Sequence, residues 1–86
     1  MKLNDLRNKI DSIDEDIVML LIERFEVVEQ IMSLKSEIED KNRENEILSK
    51  LNGLTNKTSN QEFFTKIYKF IFEESKNIQK KLSKKL

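Results

Sequence analysis

Apolar residues recur at three- and four-residue steps from the start of the chain: Leu3, Leu6, Ile10, Ile13, Ile17, Leu20/Leu21, Val27/Val28, Ile31, Leu34 and Ile38. That rhythm keeps one side of a helix apolar and predicts a single amphipathic helix from Leu3 to about Ile38. Such a helix is roughly 50 Å long, whereas a small domain is only about 30 Å across. One short chain can hardly cover so long a stripe, so a partner chain is expected on it, and symmetry makes a homodimer the simplest arrangement.

A second helical stretch carries Ile47, Leu48, Leu51 and Leu54 and is expected to close in the polar segment 52–60, NGLTNKTSN. Ser59 or Asn60 is placed to cap a third helix, whose apolar row is Phe63/Phe64, Ile67, Phe70/Ile71, Ile78 and Leu82. Between the first two helices, residues 36–42 contain neither Gly nor Pro. Both a continuous helix and a turn with Asp40 or Asn42 as the next N-cap are open there. No internal repeat is present.

Composition narrows the picture. The 86 residues hold one Gly and no Pro, and Leu, Ile, Glu and Lys dominate, which favours an all-α fold in a single domain, 1–86, with a thin core. With no Cys and no His, disulfides, thiol or imidazole catalysis and zinc sites built on those ligands are out of reach. Sixteen Lys plus Arg balance sixteen Asp plus Glu, and zero net charge argues against a dedicated nucleic-acid binder. The polar N-terminus lacks a cleavable apolar stretch. The longest apolar run, Ile17 to Ile22, falls far short of the roughly 20 residues that cross a bilayer. A cytoplasmic protein that does not engage membranes is expected. The basic tail, Lys80-Lys81 through Lys84-Lys85, reads as a solvated helix end with cations suited to the C-terminal dipole.

The chemistry lies where the stripes are interrupted. Arg24 sits seven residues after Ile17 and four before Val28, and Lys35 four after Ile31. On one helix the two share a face three turns apart. Asp40, Arg43 and Glu44 continue backward the line of Ile47 and Leu51, while Ser75 and Gln79 extend the row of Phe64, Ile67 and Ile71. Lone Arg residues at a stripe edge usually snorkel, and helical charge runs are usually solvated. Polar groups on the inward side of all three helices form a different pattern. Arg24, Lys35 and Arg43 outnumber Asp40 and Glu44, and a bundle interior with excess positive charge reads as a pocket for an anionic ligand. Arg7 lies about 25 Å along the axis from Arg24. It cannot reach that pocket within one straight helix, but in an antiparallel dimer it can enter the pocket of the other chain.

These residues resemble a family, the all-α (type II) chorismate mutases, over essentially the whole chain. Leu6-Arg7-Asn8-Lys9-Ile10-Asp11-Ser12-Ile13-Asp14 is similar to that family's LRxxIDxID opening, and Leu21-Ile22-Glu23-Arg24 to its L-x-x-R segment, with Lys35 eleven residues on. Asp40-Lys41-Asn42-Arg43-Glu44 resembles the D-x-x-R-E motif that opens the second helix. Phe72-Glu73-Glu74-Ser75 with Gln79 resembles the third-helix signature I-x-E-x-S-x-x-x-Q. The stretch between Lys35 and Arg43 looks about four residues shorter than in familiar members, close to one helical turn.

The resemblance implies an intertwined homodimeric helical bundle of three-helix chains with a long first helix. It implies cofactor-free and metal-free conversion of chorismate to prephenate on the shikimate route to the aromatic amino acids Phe and Tyr. It also implies site roles. Arg7 of the other chain and Arg24 would hold the substrate carboxylates, with Lys35, Arg43 and Ser75 assisting. Asp40 and Glu44 would address the ring hydroxyl, and Lys35 and Gln79 would donate to the ether oxygen. Rivals of the same fold are an isochorismate-pyruvate lyase, which Glu44 disfavours, and an aminodeoxychorismate mutase. A non-catalytic regulatory or adaptor dimer is the rival from another class. It would explain the long stripe but not its polar interruptions.

Overall fold

The computed structural model describes residues 2–34 and 40–85. Three helices account for nearly all of them: α1 (Leu3–Met32), α2 (Lys41–Thr55) and α3 (Gln61–Lys85). α3 packs against both of the others, and the backbones of α1 and α2 do not approach each other closely. The third helix is thus the spine, with the other two laid along it.

α1 begins where the Asp5 carboxylate accepts from the Lys2 backbone N–H at 3.3 Å. It ends six residues before the expected Ile38. Ser33 ends it. Its hydroxyl donates to the Gln30 carbonyl at 2.6 Å, while the Ser33 and Leu34 amides donate to Gln30 and Ile31. Tight i→i−3 bonds and a side-chain donor satisfy the terminal carbonyls and stop the helix. Leu34 then falls in the turn rather than on the stripe. Lys35 and Ile38 lie outside the described residues.

Of the two candidate caps for α2, Asp40 is the one used, its side chain accepting from the Arg43 amide at 3.0 Å. A carboxylate there also faces the positive end of the helix dipole. At its other end α2 carries Leu54 as expected and runs on to Thr55, taking Asn52 and Gly53 of the polar segment 52–60 into the helix. Gly53 has helical backbone with no positive φ, so its about 1 kcal/mol propensity deficit is carried by the helix rather than ending it. The Thr55 hydroxyl donates back to Leu51 at 2.8 Å, and Gln61, the first residue of α3, donates its amide to the Asn52 carbonyl at 2.9 Å. That last bond ties the start of α3 to the last turns of α2. Asn60 precedes α3 as expected, its carbonyl accepting from the Phe63 amide.

Burial is uneven. Met32, Leu51, Ile71 and Phe72 are buried, around the meeting of the C-terminal half of α1 with α2 and α3. The N-terminal half of α1 has no such cover: Leu3, Leu6, Ile10, Ile13, Ile17 and Leu20 are each between 44% and 63% exposed. The chain is accordingly elongated, 53 × 27 × 16 Å with a radius of gyration of 16.1 Å, against about 12 Å for a compact chain of this length. Among the described residues no helix is long and apolar enough to cross a membrane.

Candidate active site

Where the helices converge they enclose a cleft of about 250 Å³, a little below the roughly 300–1,000 Å³ of drug-sized pockets. α1 contributes Arg24, Val27, Val28 and Ile31. α2 and its cap contribute Asp40, Arg43, Glu44 and Ile47, and α3 contributes Phe72, Ser75, Lys76 and Gln79. Six of the eight residues singled out from the sequence therefore line one cavity. Arg7 does not, lying exposed in the uncovered half of α1. Lys35 lies outside the described residues.

Arg24 is the best-anchored charge. One guanidinium nitrogen donates to the Ser75 hydroxyl at 3.2 Å, and that hydroxyl donates onward to the Ile71 carbonyl at 2.9 Å. The guanidinium carbon sits 6.0 Å from the Tyr68 ring centre and 5.9 Å from that of Phe72, and these two rings pack edge to face. Two cation–ring contacts and one hydroxyl contact hold the fork while occupying a single one of its five donors. Among the described residues no carboxylate pairs with it. A half-buried guanidinium with no carboxylate among the described residues carries an uncompensated desolvation cost that an anion in the cleft would relieve.

The remaining groups divide by exposure. Gln79, one turn beyond Ser75, is only 6% exposed and lines the cleft without a hydrogen bond to any described residue. Glu44 is half-buried and ion-paired to Lys76 at 3.2 Å. Arg43 turns outward, its guanidinium 3.1 Å from Glu46 with both side chains about two-thirds exposed. Asp40 is exposed and engaged in capping α2. The sequence pattern did not single out Tyr68, Phe72 or Lys76. The three stand at four-residue steps beside the row of Ile71, Ser75 and Gln79, a spacing that puts the two rings next to the site, while nothing in the sequence marks the lysine.

Fold and cleft together define a small three-helix protein whose cleft carries a half-buried arginine. Comparison with known sequences specifies the kind. A family model described as chorismate mutase type II matches residues 6–80, and the chain belongs to that family. It is 42% identical over 84 residues to a bifunctional chorismate mutase/prephenate dehydratase of Buchnera aphidicola subsp. Acyrthosiphon pisum (strain APS), covering 92% of this chain and 22% of that protein. To the bifunctional chorismate mutase/prephenate dehydratase of Buchnera aphidicola subsp. Schizaphis graminum (strain Sg) it is 39% identical over 90 residues, covering 95% of this chain and 23% of that one. The chain thus spans less than a quarter of the length of the curated relatives it matches. No solved structure matches it significantly.

Proposed function

We propose that this chain is a single mutase domain, 1–86, that converts chorismate to prephenate in aromatic amino acid biosynthesis. The observation that carries the proposal is Arg24, held by Ser75, Tyr68 and Phe72 at the wall of the cleft with no carboxylate partner among the described residues. Chorismate is a dianion, and a planar guanidinium fork matches a carboxylate in two parallel bonds. The rearrangement is pericyclic: the ether C–O bond breaks as a C–C bond forms, with no nucleophile and no obligatory proton transfer. Residues that hold the folded, chair-like conformer supply part of the acceleration. Donors facing the ether oxygen, where negative charge grows, supply more. Gln79, which lines the cleft, takes that role in this proposal together with Lys35. Glu44 and Asp40 take the ring hydroxyl, and Arg43 assists with the carboxylates. A cytoplasmic setting, where a charged metabolite is met without crossing a membrane, belongs to the same proposal.

The expected result is loss of chorismate absorbance on adding the purified chain, with prephenate identified as the product. A folded chain that leaves chorismate untouched would instead be a non-catalytic helical dimer.

The proposal includes an intertwined homodimer with Arg7 supplied by the other chain. The chain exposes 7301 Å², against about 5,400 Å² expected for a compact monomer of its size. The excess from two chains falls within the roughly 2,000–5,000 Å² buried by obligate homodimers, and the exposed stripe from Leu3 to Leu20 is the face this proposal covers. If each site takes Arg24 from one chain and Arg7 from the other, Arg7→Ala and Arg24→Ala chains complement. Each heterodimer keeps one intact site, so random mixing should restore about a quarter of wild-type activity. Heterodimers that form and stay inactive would rule out shared sites.

A further inference from the structure

Lys76 has no part in the roles set out above, yet its ammonium lies 3.2 Å from Glu44 Oε2, with the two side chains only 24% and 19% exposed. Both residues line the cleft. One is on α2 and the other on α3, so the pair also fixes the distance between these walls. Screening by water is weak for a pair this covered. We propose that Lys76 is a positioning residue that sets the site for a substrate with a ring hydroxyl and against its analogue with a ring amine. The inference rests on the mutase reading and deepens it.

The discrimination turns on the charge at a single carboxylate. Paired with Lys76 through Oε2, Glu44 keeps Oε1 to accept from the O–H of a neutral hydroxyl. An aliphatic amine is mostly ammonium at neutral pH. Set beside an unpaired carboxylate, that ammonium would gain a full ion pair. Beside a carboxylate already matched by Lys76 it gains little and meets a like charge. The other charges on the cleft walls do not reverse this sign. Arg24 adds positive charge, while Arg43 and Asp40 are partly committed elsewhere, to Glu46 and to the α2 cap.

The test compares kcat/KM for chorismate and for its ring-amine analogue in the wild-type chain, Lys76→Met, Lys76→Arg and Glu44→Gln, with helicity checked by circular dichroism. Lys76→Met, which keeps the stem and deletes the charge, is expected to move the preference about tenfold or more toward the amine. Lys76→Arg should stay near the wild-type ratio. Glu44→Gln, which deletes the carboxylate an amine would pair with, should move the ratio the other way, and Lys76→Gln replaces Lys76→Met if that variant does not fold. A merely structural role for Lys76 would slow both substrates alike. Unchanged ratios, or shifts of the same sign in the two variants, overturn the inference and leave the mutase reading standing. A folded wild-type chain inactive on both compounds overturns both.

Discussion

Arg24→Ala is expected to lower kcat/KM for chorismate by about a thousandfold, roughly 4 kcal/mol of transition-state binding. The size follows from what the side chain does. Its fork is the half-buried cation of the cleft with no described carboxylate to neutralise it, so its removal deletes a charge-assisted, bidentate grip on the substrate. Arg24→Lys separates charge from shape. The ammonium keeps the positive charge but not the guanidinium's contacts near the Tyr68 and Phe72 rings, and it cannot bind in parallel pairs. An intermediate loss of about ten- to a hundredfold is expected. Sedimentation and circular dichroism should show both variants folded and assembled like the wild type. A folded Arg24→Ala chain within tenfold of wild-type activity would remove Arg24 from substrate binding and take the proposed function's main support with it.

What the sequence made legible, and what it did not, follows from the range of each interaction. The three helices were readable because apolar periodicity is a local signal, and Asp40 as a cap was readable because capping acts within three residues. The two misplaced boundaries were decided by contacts with weak sequence marks. A serine hydroxyl turned back on Gln30 ended α1 early, and a glutamine from the next helix held α2 past Gly53. In the site, Arg24, Ser75 and Gln79 stood out because polar residues on an apolar stripe are conspicuous. Lys76 did not, since it is flanked by polar residues, and only the packing of α3 on α2 brings it to Glu44. The outward turn of Arg43 was likewise invisible, because Glu46 is one of several acids within reach along α2. Pattern locates the faces, and tertiary packing selects which charges on them meet.

Gln79→Glu is expected to convert a pH-indifferent site into one that works only in acid, with about a thousandfold loss at pH 8. The wild-type amide donates a hydrogen bond at every pH, since it has no titrating proton. A carboxyl group in its place donates only when protonated. Once ionised it presents negative charge where the ether oxygen is itself gaining negative charge, which raises the barrier instead of lowering it. Above the carboxyl pKa, ordinarily about 4.3 for Glu, the protonated fraction falls tenfold per pH unit. The variant's kcat/KM should fall with it until residual catalysis by the other groups takes over. Burial of position 79, only 6% exposed, pushes such a carboxyl upward, while the cations of Arg24 and Lys76 in the same cleft pull it down. The midpoint therefore reports which influence is stronger, and the direction of the slope does not depend on it. The check is a pair of pH profiles from mild acid to pH 8 under identical buffer. A variant profile parallel to the wild-type one would mean that the side chain at position 79 does not face the breaking bond.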